Sequence, residues 1–201
     1  MDSSGARRGA RSRGSFLRAA AGTGGAVLGG LLVGRQVAVS HAAPSPAQDR
    51  QIFEFALVLE ELQAAFYSEA LQRGGLSGDL LEFAQVVGAH ERAHVAFLRS
   101  VLGAAAGPTR AFNFGDATSN SQSFGVAAHE IENIGVAAYN GQGAKLTAGA
   151  MEHAAEIVSV EGRHAGWIGA LLGEPPAPRA ADPGADANAV LAQLKTSGFL
   201  Q

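Results

Sequence analysis

The chain has 201 residues, of which 47% are hydrophobic and 6% aromatic, so it is long enough for one domain with a buried core and too short for two of ordinary size. It contains no cysteine, which excludes disulfides, thiolate metal sites and cysteine nucleophiles. Its net charge is −3, and after residue 42 it carries nine basic and 17 acidic residues, a balance that argues against nucleic acid as a partner.

The N-terminal segment, residues 1–42, is typical of an export signal. Arginines are frequent in residues 1–18, and a small, apolar stretch fills residues 19–34 before a small-residue site at 40–42. The apolar stretch holds six glycines and is shorter than the roughly 20 residues that a spanning helix needs. We therefore expect cleavage, no stable membrane span afterwards, and a mature protein in the periplasm, the cell wall or the extracellular space. A retained anchor is the alternative.

The sequence is compatible with two export routes. Residues 12–18, SRGSFLR, resemble the twin-arginine signal, but Gly14 stands where the second arginine belongs. The twin-arginine and general secretory routes therefore both stay open. Residues 43–49 follow the signal, and their prolines and small polar residues predict a linker.

The rest of the chain predicts four helices with short, long and short connections. Apolar residues recur at helical spacing, without the sustained alternation of strands. The connection at 103–120 is long, polar and contains glycine, as in an all-α antiparallel four-helix bundle with one long crossover between the second and third helices. We expect this bundle over residues 50–173, followed by a C-terminal tail, 174–201, with one short helix near 187–195. The four predicted helices span about 50–71, 78–102, 121–139 and 146–172.

The apolar face of each predicted helix includes one glutamate. Residues three or four apart share a helix face, and on the second and fourth helices a histidine follows that glutamate by three residues. Glu61 falls on the outer face of the first helix. His90 lies off the inward stripe and is interpreted as a packing or surface residue. The inward polar set is Glu60, Glu91, His94, Glu132, Glu161 and His164.

Four glutamates and two imidazoles buried together need compensating charge, because an unpaired buried ion costs several kcal/mol. Two divalent cations supply that charge. Oxygen and nitrogen ligands without sulfur favour iron, with manganese and then zinc as alternatives. We assign Glu60, Glu91 and His94 to one ion and Glu132, Glu161 and His164 to the other, with Glu91 and Glu161 bridging. A bundle that has lost its metal is the competing interpretation.

The two halves of the bundle repeat, since equivalent inward glutamates lie 70 or 72 residues apart. The same spacing relates Tyr67 to Tyr139, each two turns after the inward glutamate of its helix. An approximate two-fold axis through the site follows. Both tyrosines are candidates to hydrogen-bond a ligand carboxylate or to carry a radical, and a core position with a satisfied hydroxyl is the simpler alternative.

Several stretches resemble the bacterial ferritin-like domain family that includes the desiccation-related proteins, within the di-iron carboxylate ferritin-like superfamily. One departure is Gln63, where we expect a second glutamate on the first helix. Because Gln63 lies off the ligand stripe, we expect the departure to affect a charge next to the ligands or at the surface. The resemblance implies a ferritin-like bundle and a di-metal site, without fixing a reaction. The matching text is FALVLEELQAAFY (55–67), VVGAHERAHVAFLRSVLG (86–103), EIENIGVAAYNG (130–141), SVEGRHAGWIGALLG (159–173) and TSGFL (196–200).

These features together predict an exported di-metal carboxylate protein. The leading hypothesis is oxidation of ferrous iron, or consumption of peroxide or dioxygen, at a di-iron centre during stress or desiccation. The alternatives are a di-manganese centre that disproportionates peroxide and a non-enzymatic stress protein stabilised by its metals. The expected partners are metal ions with dioxygen or hydrogen peroxide, and no catalytic residue is expected beyond the metal ligands. Enzymatic turnover and oligomeric state stay open, with a dimer among the options.

Overall fold

A computed structural model describes residues 43–200, so the predicted export signal lies outside the described residues. Within this range the regular elements are helices, beside one isolated bridge between Phe112 and Leu200. No helix between residues 43 and 200 is long and apolar enough to cross a membrane. The elements are α1 (Pro46–Arg73), α2 (Gly78–Leu102), a 3₁₀ turn (Gly103–Ala106), α3 (Ser121–Gly143), α4 (Ala148–Leu171) and α5 (Ala187–Thr196).

The prediction of an all-α bundle with one long crossover is confirmed. Short connections join α1 to α2 and α3 to α4, and each of these pairs packs along its length as a hairpin. The two hairpins then pack against each other through α1 with α3 and α2 with α4. The long connection between α2 and α3 links the hairpins.

Local sequence signals explain where α1 begins and ends. The Ser45 side chain accepts a hydrogen bond from the Gln48 backbone N–H, and Pro46 occupies the first turn, where a missing N–H is tolerated. Gly74 ends the helix in the left-handed conformation, with φ of 68°. Because α1 begins at Pro46, the second half of the segment predicted as a linker, 43–49, is helical.

Two apolar clusters fill the bundle on either side of the level of Glu60. One is built around the aromatic rings of Phe66, Phe83 and Phe124, with Phe66 and Phe124 stacked at 5.3 Å. The other includes Leu57, which is fully buried. Burial of these side chains supplies the main drive for folding. A polar layer lies between the two clusters.

Glu61 is buried, so its predicted outward position is wrong. Its side chain is only 2% exposed, and it pairs with the guanidinium groups of Arg99 on α2 and Arg110 in the long connection, the latter at 2.9 Å. Arg99 also donates to the backbone carbonyl of Gly107 at 3.1 Å. The connection therefore folds over the outer face of α1, a contact between distant segments that helical periodicity does not reveal.

The C-terminal tail completes the core. Helix α5 packs against α3, and its Val190 and Leu194 are almost fully buried. The backbone N–H of Ala185 donates to the carbonyl of Ala137 at 2.7 Å. The tail is thus attached to the second hairpin through α3.

Candidate metal centre

Each of the four bundle helices places one glutamate in the polar layer, and all four carboxylates are fully buried. A histidine follows by one turn on α2 and on α4. His94 keeps 12% of its side chain exposed, whereas His164 keeps 3%. The structure thus brings together the whole predicted set, namely Glu60, Glu91, His94, Glu132, Glu161 and His164.

The first group of donor atoms surrounds Nδ1 of His94. This nitrogen lies 3.1 Å from Oε2 of Glu60, 3.3 Å from Oε2 of Glu91 and 3.4 Å from Oε1 of Glu161. The four ligand atoms offered by this group all lie within 4.8 Å of one another. Three oxygens and one nitrogen thus converge on a single position.

The second group surrounds Nδ1 of His164. This nitrogen lies 3.0 Å from Oε1 of Glu91, 3.2 Å from Oε2 of Glu132 and 3.8 Å from Oε1 of Glu161. Glu91 and Glu161 therefore belong to both groups. Glu91 turns one oxygen toward each group, while Glu161 turns the same oxygen, Oε1, toward both.

Unpartnered atoms test whether the donors fit a cation. Among the described residues, each member of the second group carries a buried atom without a hydrogen-bond partner, although these atoms are close together. These atoms therefore lie close enough together to bind one ion while lacking aligned hydrogen bonds. Buried polar atoms are rarely left in this state, so a cation is the natural partner. The four atoms are Glu91 Oε1, Glu132 Oε2, Glu161 Oε1 and His164 Nδ1.

The sequence profile of the ferritin-like domain family matches residues 48–174, which is more than half of the chain. The chain belongs to the ferritin-like domain family. No curated protein matches the sequence. The matched range contains every residue of the two donor groups, and this ferritin-like fold with buried carboxylates and imidazoles is consistent with a di-metal protein.

The two tyrosines hydrogen-bond across the bundle of this ferritin-like domain. Tyr67 on α1 donates to Oε1 of Glu132 at 2.5 Å, and Tyr139 on α3 donates to Oε1 of Glu60 at 2.6 Å. Burial and the adjacent carboxylates keep the pKa of both hydroxyls well above 10, so both stay donors. In each glutamate this bond occupies the outer oxygen, which leaves the inner oxygen, Oε2, directed at its histidine.

Gln63 lies next to the ligands, so of the two expected effects of this departure, on a charge beside the ligands or at the surface, the structure supports the first. Its side chain is buried, and Nε2 donates to Oε1 of Glu132 at 3.3 Å and to Oε2 of Glu161 at 3.2 Å. Other segments pack against more than one face of α1. The apolar stripe of this helix predicts burial of only one face, so it did not predict the burial of Gln63. The carboxamide supplies two hydrogen bonds where a glutamate would add a fifth buried negative charge.

His90 also touches the site, contrary to its interpretation as a packing or surface residue. Its Nδ1 lies 2.9 Å from Nε2 of His164, and the two rings stack with centroids 5.2 Å apart. Burial, followed by the neighbouring imidazoles, lowers the pKa of His90 below its usual 6.5 and favours a neutral ring. Its position one turn before His94 on α2 is the sequence signal that places it beside the site.

Crowding raises the carboxyl pKa values in the metal-free site. Burial and then the neighbouring Glu91 raise the pKa of Glu60 from 4.5 to about 7. Burial and then the charge of Glu60 raise that of Glu161 to about 8. Protons are therefore held on this carboxylate cluster near neutral pH.

The pKa values of the two ligand histidines are also raised in the metal-free site. Burial lowers the pKa of His94, but hydrogen bonds to Glu161 and Glu60 outweigh it and raise the pKa to about 12. For His164, Glu132 and Glu91 likewise overcome burial and raise the pKa to about 10. Both imidazoles bind protons in the metal-free protein, and a metal ion must displace those protons to bind Nδ1.

One surface cavity of about 360 Å³ reaches the site between α2 and α4. Both ligand histidines line it, with His90, Arg163 and Trp167 among its other walls. The rest of the polar layer lies behind these rings. A small molecule that enters this cavity would therefore contact the ligand histidines before the buried carboxylates.

We predict that Gly135→Ala displaces the Glu161 carboxylate. A Cβ at Gly135 would lie 2.6 Å from Oε2 of Glu161, and overpacking of this kind costs about 1–3 kcal/mol. Gly162→Ala is the matched control, because nothing lies within 4 Å of a Cβ there and both glycines are helical. Thermal melting and metal titration of the two variants should show lower stability and weaker metal binding for Gly135→Ala alone. Equal stability and equal metal binding of the two variants would show that a Cβ at position 135 does not displace Glu161.

Proposed function

We propose that this chain is an exported ferritin-like protein that uses a di-iron centre to oxidise ferrous iron or to consume peroxide or dioxygen, in protection against stress or desiccation. The observation that carries the proposal is the sharing of Glu91 and Glu161 by both donor groups. Two carboxylates common to two adjacent cation positions are the framework of a dinuclear centre. The ferritin-like fold supports it, since such bundles build sites from inward glutamates and Glu-x-x-His pairs.

The two donor groups contain the residues that would bind the metal ions. Glu60 and His94 serve one ion, Glu132 and His164 serve the other, and the two shared glutamates lie between them. When bound, iron supplies reversible one-electron redox chemistry, which the side chains of this protein lack. A buried layer of fixed donors suits this role because carboxylates compensate the cationic charge and the surrounding apolar clusters limit access of water.

The chain's own groups orient the donors and control access. Tyr139 and Tyr67 hold the outer oxygens of Glu60 and Glu132, so the inner oxygens stay directed at the ions. The cavity beside His94 supports a route for small neutral oxidants such as peroxide or dioxygen. The size of this cavity, about 360 Å³, favours reaction with small molecules over contact with large ones.

Manganese is the second candidate. Each group offers three carboxylate oxygens and one imidazole nitrogen, a donor set that also suits manganese. A di-manganese centre would disproportionate peroxide without net oxidation of the protein. Elemental analysis of protein from its native host, with a catalase assay, separates the two, and protein that is metal-stabilised without turnover under any oxidant would favour the non-enzymatic alternative.

Export is proposed from the N-terminal segment. The arginine-rich start, the apolar stretch and the small-residue site support a signal that directs the protein out of the cytoplasm. The absence of cysteine suits an oxidising compartment. An extracytoplasmic location would place the protein where external peroxide and ferrous iron meet.

Glu91→Ala tests the proposed reaction, because it removes a donor from both groups. We expect the variant to lose paired metal binding. Its conversion of ferrous iron and peroxide should fall further than the decrease of about 10- to 100-fold that follows loss of a residue hydrogen-bonded to a metal ligand. Glu82→Ala, an exposed change on the same helix, is the control and should retain both activities. Equal conversion by wild type and Glu91→Ala would overturn the proposal.

A further inference from the structure

The internal repeat of the bundle is broken at two positions beside the donor groups. The spacing of 72 residues that relates Glu60 to Glu132 relates Gln63 to Gly135. The spacing of 70 residues between the Glu-x-x-His pairs relates His90 to Val160. In each case the first half supplies a polar side chain and the second half supplies none. The two donor groups therefore have different surroundings.

Of the two terminal glutamates, Gln63 restrains only Glu132, on the His164 side of the site. Its Nε2 bonds Glu132, which belongs to the second group alone, and Oε2 of the shared Glu161. It makes no hydrogen bond to Glu60, the terminal glutamate of the first group. Gly135 leaves the space that Glu161 occupies, because a Cβ there would lie 2.6 Å from Oε2. Glu132 is consequently fixed by two residues outside the donor groups, Tyr67 and Gln63, whereas among the described residues Tyr139 is the only such residue bonded to Glu60.

His90 likewise restrains only one of the two histidines. With Nδ1 of His164 directed at the cation position, its Nε2 carries the proton and donates to Nδ1 of His90 at 2.9 Å. Within residues 43–200 no protein group hydrogen-bonds to Nε2 of His94, although both ligand histidines line the cavity. The ring of His94 is also the more exposed, at 12% against 3% for His164.

The unpartnered atoms follow the same division. All four donors of the His164 group lack hydrogen-bond partners, whereas Nδ1 of His94 has hydrogen-bond contacts with Glu60 and Glu91. A cation on the His164 side must displace the proton of His164, but it breaks no aligned hydrogen bond at these four atoms. A cation on the His94 side must first replace existing hydrogen bonds.

We propose that the two metal positions are inequivalent: the position at Glu91, Glu132, Glu161 and His164 fills first and holds its ion, and the position at Glu60 and His94 exchanges its ion through the cavity. Gln63 and His90 act as positioning residues for the first of these. This inference rests on the proposed di-metal centre and assigns its two ions different tasks, one retained and one open to exchange or to oxidant.

Titration of the metal-free full chain with Co²⁺ tests this, because cobalt binds the same donors and reports on them by its visible absorption and by hyperfine-shifted NMR signals. We expect two binding steps. The first should give an exchangeable imidazole N–H signal that is protected by the hydrogen bond to His90. His90→Ala and Gln63→Leu should weaken the first step about 10- to 100-fold, and His90→Ala should also remove the protected signal. His90→Gln, which retains an acceptor, should restore part of the affinity.

Control variants separate the proposal from general damage. His153→Ala removes a half-exposed histidine outside the site, and Gln142→Leu removes a buried glutamine that contacts the tail, so neither should change the two steps. Two equal steps in the wild type, or equal weakening of both steps by His90→Ala, would overturn the inequivalence while leaving the di-metal centre intact. Failure of the wild type to bind two ions would instead overturn the proposed function itself.

Discussion

The metal-free protein is expected to lose stability as the pH rises from about 5 to about 8, and the metal-loaded protein is expected not to. The folded-state pKa values of Glu60 and Glu161 are raised from 4.5 to about 7 and about 8 by burial and neighbouring carboxylates. A raised pKa means that the folded state binds protons that the unfolded state has released. The stabilising contribution is complete below pH 4.5 and is lost as the pH passes through 7 and 8.

The two ligand histidines also make the metal-free protein less stable as the pH rises, but over a higher pH range. His94 and His164 keep their protons to about pH 12 and about pH 10 because carboxylates surround them, whereas an unfolded histidine releases its proton near 6.5. Their contribution is complete below 6.5 and declines above it, so it adds to the downward slope between 6.5 and 8. The summed loss is on the order of several kcal/mol, or roughly 10 °C in melting temperature.

Metal reverses this slope because it replaces the protons. Bound cations favour the deprotonated ligands, so metal uptake releases protons and tightens as the pH rises. Melting curves at pH 5, 6, 7 and 8, with a chelator and with saturating metal, measure the effect, and a pH indicator records the released protons. Stability of the chelated protein that rises over this range, or metal uptake independent of pH, would show that the carboxylates are not crowded.

Helical periodicity was sufficient to find the inward acids. A spacing of three and four residues depends only on the backbone geometry of one helix, so Glu60, Glu91, Glu132 and Glu161 could each be placed from local sequence, and all four are fully buried. The internal repeat also indicated which helices of the two halves are equivalent. The bonds of Tyr67 and Tyr139 to glutamates of the opposite hairpin follow that equivalence, although sequence alone left a plain core position open.

The residues that periodicity missed are those whose environment is set by another segment. Glu61 was assigned to the surface, but Arg99 and Arg110 bury it when the long connection folds over α1. Gln63 is buried because α1 is covered on two faces, and its hydrogen bonds are to residues 69 and 98 positions away. Such contacts depend on how hairpins and connections pack, and a hydrophobic stripe on one helix carries no information about them.

Glu161→Gln is expected to stabilise the metal-free protein and to abolish paired metal binding. Burial and the charge of Glu60 make the ionised form of Glu161 unfavourable in the fold, with a pKa of about 8. A neutral carboxamide of the same shape removes that penalty, which is on the order of a few kcal/mol at pH 8. It can still accept the hydrogen bond from Gln63, so the packing around Gly135 is retained.

The same change removes the anionic oxygen that both donor groups share. Neither cation position then has the charge needed to compensate two divalent ions, and a pair of ions should no longer bind. Glu156→Gln is the control, since Glu156 lies on the same helix with 77% of its side chain exposed and should change neither property. The measurements are melting in chelator at pH 8 and Co²⁺ stoichiometry. A variant that is less stable without metal, or that still binds two ions, would show that Glu161 serves packing and is not a ligand shared by two metals.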